Sequence, residues 1–299
     1  DLSSALLIST DGGVISGNIT GTPTLPSGYQ MISGYVVGPG VDLTGADLSG
    51  LDLTGAILGV SGAQRGTTLT GADLSSADLS GTYLWGADFT GADLTGADLT
   101  GANLTLARLI STILSGADLS GTNVSGAVFT GADLTGVMSG NVTRVPTLPS
   151  GYQLISGYIV GPGADLTGAD LSFADLSGID LSGADLTGVI SGNITGTPTL
   201  PSGYQIVGGY IVGPGADLTD AVLRFANLSD ADLSGADLTS ADFTGADLSG
   251  AGLTGVDLSG ADLTGTDLTG ADLTGAGLTG VISGSIAGIP TLPSVYQMI

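Results

Sequence analysis

Residues Gly86 to Leu104 read GADFTGADLTGADLTGANL, a run that repeats a unit of five residues. Each unit consists of a small residue, Asp or Asn, Leu or Phe, and two small polar residues. A period of five matches neither an α-helix, with its period of 3.6, nor an alternating strand, with its period of two. The run therefore predicts a solenoid, in which the chain turns a corner every five residues and stacks side upon side.

The unit also predicts which side chains face the interior. Leu94 points inward as the one large apolar residue of its side, and Ala92 does so because only a small side chain fits near the corner. Asp93, Thr95 and Gly96 are predicted to face outward. Glycine at the corner permits backbone angles that other residues resist. Stacked coils are expected about 4.8 Å apart, the ordinary spacing of paired strands.

The composition favours this fold over helices and over disorder. All 28 acidic residues are Asp, the four basic residues are Arg, and the formal net charge is -24. Long exposed helices are disfavoured because Lys and Glu, two strong helix formers, do not occur. A high net charge with low hydrophobicity would indicate disorder. Here 42% of the residues are hydrophobic and Leu recurs in strict phase, which predicts a folded repeat.

The missing residue types also exclude several functions. The chain has no His, Cys or Lys, which removes the usual general base, thiolate chemistry and Schiff bases. We therefore predict no enzymatic activity and no catalytic, cofactor-binding or metal-ligating residue. Four Arg against 28 Asp argue against nucleic acid as a partner. The sequence has no run of 18 apolar residues, and so it predicts no membrane span.

A second, longer repeat divides the chain. After a lead-in at 1–12, residues 13–40 read GVISGNITGTPTLPSGYQMISGYVVGPG, which we call the spacer. The spacers lie at 13–40, 136–163, 188–215 and 280–299, the last being a partial copy. The blocks of five-residue units lie at 41–135, 164–187 and 216–279. The first block slips in register near 59–69, which predicts a loop there.

The repeated unit fits the pattern A(D/N)LXX, and the chain closely resembles the pentapeptide-repeat family over its three blocks. This resemblance implies the family's fold, a right-handed quadrilateral β-helix in which four units close one turn. The spacers fall outside the family motif. We therefore predict an all-β protein: a quadrilateral β-helix, or solenoid, with periodic β-hairpin spacers.

The distances between spacers predict how the hairpins are oriented. Val14 to Val137 is 123 residues, Val137 to Val189 is 52, and Val189 to Val281 is 92. The last two intervals differ by 40 residues, which is two coils, and the first two differ by 71, which is three coils and 11 residues. The slip GVSGAQRGTTL at 59–69 also has 11 residues. If this slip is an extra loop, the three blocks hold 17, 5 and 13 five-residue units, and their lengths differ by whole coils. If each spacer also supplies three sides of a coil, all hairpins project from one face.

Each spacer contains the signature of a β-hairpin. In YQMI-SG-YVVG a two-residue turn sets Ile32 against Tyr35 and Met31 against Val36. Both faces of the hairpin are largely apolar, so we predict that it covers the adjacent coil, with a lateral row of hairpins as the alternative. Two outward phenylalanines 52 residues apart are interpreted as part of the docking surface. The residues predicted to form this packing are Tyr29, Tyr35, Tyr152, Tyr158, Tyr204, Tyr210, Phe173 and Phe225.

The fourth spacer suggests how copies of the chain meet. It stops after the first hairpin strand, and the lead-in segment SALLIS is a candidate for the partner strand. Open coil ends favour head-to-tail stacking, and a contact that does not close on itself produces a filament. The residues predicted as assembly contacts are Tyr296, Met298, Ile299, Leu6, Leu7 and Ile8.

These observations predict a structural, self-assembling protein of the cell surface or the extracellular space, forming a filament, surface layer or matrix with itself as partner. One alternative follows from the family resemblance, since some members are acidic rods that occupy the DNA site of DNA gyrase: a DNA mimic that inhibits a type II topoisomerase. A second alternative is a surface protein whose stacked Asp side chains bind divalent cations, with Ca²⁺ as the cofactor. The competing interpretation is that each Asp hydrogen-bonds local backbone at the corners.

Overall fold

The computed structural model describes residues 24–59, 66–294 and 296. Over these residues the protein is all-β without a helix, and no helix there could cross a membrane. The strands are β1 Gln30–Ile32, β2 Tyr35–Val37, β3 Gln153–Ile155, β4 Tyr158–Val160, β5 Gln205–Val207 and β6 Tyr210–Val212. They pair as three antiparallel hairpins, β1–β2, β3–β4 and β5–β6. The five-residue units are held together by isolated parallel bridges.

The bridges join positions one coil apart. Asp73 pairs with Asp93, and Asp93 pairs with Ile113, so that each partner lies four units further along the chain. The N–H of Asp93 donates to the carbonyl of Ala72 at 2.9 Å, and the N–H of Leu94 donates to the carbonyl of Ile113 at 2.7 Å. Each unit is thus bonded to the coil before it and the coil after it. Because four units close one coil, the bridges form four columns.

The corner between two sides is a tight turn. The N–H of Ala97 donates to the carbonyl of Leu94 at 3.0 Å and closes the turn. Gly96 lies within it at a φ of 64°, in the left-handed region that favours glycine. Serine and leucine also occupy this corner, at Ser76 and Leu106, with φ values of 56° and 57°. The fifth residue of each unit therefore turns the chain.

The interior is filled as the unit predicted. Leu94 and Ala92 are fully buried, whereas Asp93 lies between them at the surface. Where threonine replaces the inward alanine, its hydroxyl finds a backbone partner: Thr112 Oγ1 donates to the carbonyl of Phe89 at 2.8 Å. In the described part of the chain no buried side-chain oxygen or nitrogen lacks a hydrogen-bond partner. The predicted inward and outward positions are confirmed.

The chain divides into two compact units, Asp1–Asp165 and Leu166–Ile299, each of which is described by itself. The first unit contains β1 to β4, and the second contains β5 and β6. A continuous hydrophobic core in the first unit includes the buried Leu and Ala residues of the first block and Ile159 of β4. A core in the second unit runs from Val212 of β6 through the third block.

The slip in the first block is shorter than predicted. Ile57 and Thr68 lie in neighbouring columns, a step that takes five residues elsewhere, as from Asp93 to Asp98. The insertion is therefore six residues, not 11, and its centre, 60–65, lies outside the described residues. After the slip the bridges continue in the same columns, since Thr68 pairs with Asp42. The first block accordingly has one unit more than the 17 predicted.

The two hairpins of the first unit do not project from one face, so this prediction is wrong there. Column by column, Thr147 lies in the column of Asp42, and Asp165 lies in the column of Asp52, two sides further on. The β3–β4 segment therefore spans the side between them, in addition to the three sides that its spacer supplies. This extra side and the extra unit in the first block together place the hairpins two sides apart.

Candidate assembly site in the fourth spacer

All three hairpins have the same register and the same turn. Ile32 pairs with Tyr35 and Met31 pairs with Val36, which confirms the predicted pairing. The turn residues Ser33 and Gly34 have φ values of 47° and 82°, the two positive values of a two-residue hairpin turn. In each hairpin the second strand is the more buried one. The second strand is thus the one that meets the coils.

In the second spacer this strand is seated on the coil that precedes it. The N–H of Ile159 donates to Ser139 Oγ at 2.9 Å, and the N–H of Val142 donates to the carbonyl of Gly157 at 3.0 Å. Ile159 and Val142 are buried in the same core as the first block. We call this contact between a hairpin and its preceding coil the spacer joint.

The spacer joint is repeated in the third spacer. The N–H of Ile211 donates to Ser191 Oγ at 2.9 Å, and the N–H of Ile194 donates to the carbonyl of Gly209 at 2.9 Å. All four residues lie in the second unit. Since the same bonds form in two places at the same positions, the spacer sequence itself builds the joint.

The first tyrosine of each of the first three spacers closes the loop around its hairpin. Tyr152 Oη donates to the carbonyl of Pro162 at 2.6 Å, and Tyr204 Oη donates to the carbonyl of Pro214 at 2.6 Å. Burial, with a smaller contribution from the charge of Asp133, raises the pKa of Tyr152. Both effects keep this hydroxyl protonated, so it remains a donor. Tyr29 makes the equivalent bond to Pro39 at 2.9 Å.

The second tyrosine of each of the first three spacers contacts a neighbouring coil. The ring of Tyr158 lies over Gly140, where an added Cβ would be 3.3 Å from a ring carbon. Tyr210 has the same contact with Gly192, also at 3.3 Å, and its Oη accepts the N–H of Val222 at 3.1 Å. Tyr35 Oη accepts the N–H of Asp47 at 3.3 Å. These glycines leave room for the rings.

The two phenylalanines do not belong to the packing surface, so this prediction is wrong. Phe173 and Phe225 are 77% and 78% exposed, at corners with φ values of 62° and 55°. In the second unit the hydroxyl of Tyr210 in the hairpin accepts the N–H of Val222, three residues before Phe225. The ring of Phe225 covers Gly245 of the next coil instead.

The fourth spacer presents an apolar cavity of about 220 Å³. It opens within the last coil of the second unit, and no charged side chain lines it. Its wall is made of inward leucines of the third block and of spacer residues. The lining residues are Leu263, Leu268, Leu273, Leu278, Val281, Ser283, Ile286, Pro290, Leu292 and Tyr296.

The spacer part of this wall matches the coil that receives a hairpin elsewhere. Ser283 and Ile286 stand where the second spacer has Ser139 and Val142, the two residues bonded to its hairpin. The corner between them has the same backbone: the φ of Ser285 is 55°, and that of Asn141 is 53°. The receiving half of a spacer joint is therefore formed in the fourth spacer.

One of the predicted assembly residues lies at this cavity. Tyr296 lines it and is 41% exposed, and its N–H donates to the carbonyl of Pro293 at 3.0 Å. Sequence reasoning missed Ser283, although its signal was available, because a serine stands there in the inward position that leucine holds in the blocks. The remaining predicted contacts lie outside the described residues: Met298, Ile299, Leu6, Leu7 and Ile8.

The aspartates form local hydrogen bonds, as the competing interpretation predicted. Asp93 Oδ1 accepts the N–H of Thr95 at 2.9 Å and its hydroxyl at 2.6 Å. The hydroxyl of Ser75, followed by its N–H, lowers the pKa of Asp73 in the same way. In the described ranges no group of three or more carboxylates could hold a metal ion. Binding of Ca²⁺ stays a prediction.

These bonds predict how stability depends on pH. The pKa is also lowered, chiefly by bonds from the residue two positions on, at Asp52, Asp78, Asp133, Asp170, Asp175, Asp180, Asp242, Asp247, Asp257 and Asp272. A folded-state pKa below the unfolded value stabilises the fold above the unfolded pKa, and this stabilisation is lost as pH falls through the lowered pKa. We therefore expect the melting temperature to fall steeply below about pH 4.

From about pH 5 upward these aspartates are ionised in both the folded and the unfolded state, so they change the stability no further. Circular dichroism melts from pH 2 to 8 should show a level melting temperature from about pH 5 to 8 and a fall below that range. High salt should raise the level part, since it screens repulsion between the exposed charges that make up the net charge of -24. A melting temperature that stays constant below pH 4 would contradict the role assigned to the aspartates.

Comparison with known proteins agrees with the repeat pattern. The family model for pentapeptide repeats, with 8 copies, matches more than half of the chain. The matched residues are 39–59, 67–105, 102–138, 162–190, 216–255 and 251–282. The breaks between them coincide with the slip and with the second and third spacers.

Solved structures of the same kind are similar to the chain. HetL, a pentapeptide repeat protein involved in heterocyst differentiation regulation in the cyanobacterium Nostoc sp. strain PCC 7120, is 30% identical; the match covers 86% of this chain and 91% of HetL, with a TM-score of 0.31. A pentapeptide repeat protein of the Arabidopsis thaliana thylakoid lumen is 35% identical over 34% of this chain and 67% of its own, with a TM-score of 0.32. QnrB1, a plasmid-mediated fluoroquinolone resistance protein, is 20% identical over 82% and 79%, with a TM-score of 0.20. No curated protein matches the chain in sequence.

Proposed function

The chain belongs to the pentapeptide-repeat family, and from this premise we propose that it is a structural protein whose copies associate end to end. In this proposal the coils of each unit form a right-handed quadrilateral β-helix, the fold that the family resemblance implies. The four columns of bridges, with four repeat units in each coil, support it. The assembly would be a filament, surface layer or matrix outside the cell.

The observation that carries this proposal is the fourth-spacer cavity. A volume of about 220 Å³ is below the ~300–1,000 Å³ of typical small-molecule sites, and its wall offers few polar groups to orient a metabolite. Its lining instead repeats the surface on which the hairpins of this same chain are seated. The cavity therefore suits a protein segment better than a small ligand.

The distribution of charge supports contact through the spacers. Residues 12–41 and 273–299, which contain the first and fourth spacers, have no charged side chain, whereas the blocks carry nearly all of the net charge of -24. Copies that approach through their blocks bring like charges together, which opposes association. Copies that approach through the two outer spacers avoid this repulsion. Lateral packing is thus disfavoured and end-to-end contact is favoured.

Sedimentation velocity at increasing protein concentration tests the proposal. We expect the wild-type mass to rise with concentration, and to rise further with salt, because salt screens the repulsion between the blocks. Ile286→Asp places a charge in the cavity wall and should leave monomers. Ile282→Asp adds the same charge at an outward position that is 57% exposed, and should keep association.

A wild-type chain that stays monomeric at every concentration and salt condition would overturn the proposal. Loss of association in the Ile282→Asp control would also count against it, since charge alone would then explain the effect. Discrete dimers that inhibit DNA supercoiling by a type II topoisomerase would instead favour the acidic-rod alternative. Circular dichroism of both variants must show the wild-type spectrum.

A further inference from the structure

The four columns of the first unit differ in charge. One column has no carboxylate at any of its bridge positions, and we call it the uncharged column. Its members are Ile57, Tyr83, Asn103, Asn123 and Thr143. The other three columns hold all 11 aspartates of the described ranges 24–59 and 66–165. This unit therefore has one side without negative charge, although the chain as a whole carries -24.

The aspartates of this unit are concentrated on two neighbouring columns. Among the described residues these two columns hold nine of them: Asp47, Asp73, Asp93 and Asp133 in one, and Asp52, Asp78, Asp98, Asp118 and Asp165 in the other. The remaining column has Asp42 and Asp88, and Asp88 is paired with Arg108 at 3.4 Å. A cationic partner would be drawn to the aspartate-rich columns, so the uncharged column suits an uncharged partner.

The fold does not require this absence of charge. Asn103 Oδ1 accepts the N–H of Thr105 at 3.1 Å and its hydroxyl at 2.6 Å. Asp93 Oδ1 makes the same two bonds with Thr95. Asparagine thus adds only an NH2 group, which donates where a carboxylate cannot. Within the described ranges the NH2 groups of Asn103 and Asn123 form no hydrogen bond, so both are free to donate.

The same side carries two partly exposed aromatic rings. Tyr83 lies in the column, and Trp85, the one tryptophan of the chain, follows the buried Leu84. Leu106, at the corner of the next coil, is 51% exposed. Neither the Tyr83 hydroxyl nor the Trp85 N–H is hydrogen-bonded to a described residue. Rings with apolar faces and unused polar groups suit a partner that has both apolar and hydroxylated surfaces.

The end of the uncharged column departs from the other spacers. Arg144 follows Thr143 at a φ of 75°, where the third and fourth spacers have Gly196 and Gly288 at 89° and 81°. A side chain in this backbone region is strained, and such strain is found mostly at functional sites. The guanidinium group adds N–H donors at this end of the column.

We propose that the uncharged column binds a neutral polysaccharide of extended, β-1,4-linked sugars that lies lengthwise along it. The apolar faces of the sugar rings pack on Tyr83 and Trp85, and the sugar hydroxyls accept the N–H groups of the asparagines. Neighbouring positions of the column are about 4.8 Å apart, close to the length of one sugar residue in such a polymer. Each coil therefore meets one sugar. This site lies in the first unit and does not depend on the self-association proposed above.

Isothermal titration calorimetry of the full chain with cellohexaose and with chitohexaose tests this site. We expect saturable binding, weakened about tenfold or more by Trp85→Ala, which removes a packing ring. Its control, Phe225→Ala, removes an exposed ring from the second unit and should bind like the wild type.

A second variant changes charge without changing the corner bonds. Asn103→Asp keeps the bonds to Thr105 but loses the NH2 donor and adds a carboxylate, and it should weaken binding about tenfold or more. The control is Asn227→Asp in the second unit, where Asn227 Oδ1 accepts the N–H of Ser229 at 3.1 Å and its hydroxyl at 2.8 Å. This control should bind like the wild type.

Three results would overturn the polysaccharide site. The first is that neither hexasaccharide binds, and the second is that the anionic hexagalacturonate binds as tightly as they do. The third is an equal loss in Asn103→Asp and Asn227→Asp, since a general effect of charge would then explain it. Sedimentation measures self-association separately, so either proposal can fail while the other stands.

Discussion

Phe243→Ala is expected to lower the free energy of unfolding by about 3–5 kcal/mol, the usual effect of removing a buried aromatic ring. Phe243 is fully buried in the interior of the second unit. Its N–H donates to the carbonyl of Asp262 at 2.9 Å, and its carbonyl accepts the hydroxyl of Thr266 at 2.9 Å, both in the next coil. Coils bonded in this way cannot collapse into the space, so the full effect of the cavity should appear.

The matched control is Phe225→Ala, in the same unit but at a corner, where the ring is 78% exposed. We expect it to change the free energy of unfolding by less than about 0.5 kcal/mol. Urea unfolding followed by circular dichroism measures both variants. Equal losses would contradict the assignment of inward and outward positions in the coils.

Gly284→Phe is expected to weaken association on the order of 100-fold, which corresponds to about 2.8 kcal/mol. In the single chain the Cβ position is open, and the backbone φ there is not positive, so the fold should accept the side chain. In a spacer joint the same position is 3.3 Å from a tyrosine ring, and the added phenyl group must displace it. This one substitution should therefore weaken association while leaving the fold intact.

Sedimentation equilibrium of Gly284→Phe and of Ile282→Phe gives the comparison. The second variant adds the same ring two residues away, at an outward position, and should associate like the wild type. Both should have the wild-type melting temperature. Unchanged association of Gly284→Phe would show that the cavity is not the contact surface, even if the chain assembles by another route.

The period of five and the turn residues sufficed to predict most of the local structure. The five-residue unit predicted that Leu94 and Ala92 face inward, because a corner every five residues brings the same two positions of each unit to the interior. The Ser-Gly turn determined the hairpin register because a two-residue loop leaves one pairing for its neighbours, Ile32 with Tyr35. Both are local properties, which a sequence encodes directly.

The slip shows what local patterns leave open. Leu58 and Leu69 are 11 residues apart, and this distance fits either an 11-residue loop or a six-residue loop plus one unit. The two solutions differ only in which coil is bonded to which. The pairing of Asp42 with Thr68 decides it, and that bond depends on the stacking of the coils.

The candidate site was predicted in outline. The partial fourth spacer pointed to assembly there and to Tyr296, which lines the cavity. How far a hairpin extends along the coils was not predictable, because it depends on the packing that brings Tyr210 to Val222 and leaves Phe225 exposed. The informative signal was the serine that replaces leucine in the inward position, as at Ser283.

Electron cryomicroscopy of the associated wild-type chain is the most direct test of end-to-end association through the spacers. We expect residues 281–287 of one copy to lie in the contact with the next copy, while the aspartate-bearing blocks of the two copies stay apart. Copies joined side by side through their aspartate-bearing blocks, or particles that each contain one chain, would contradict it.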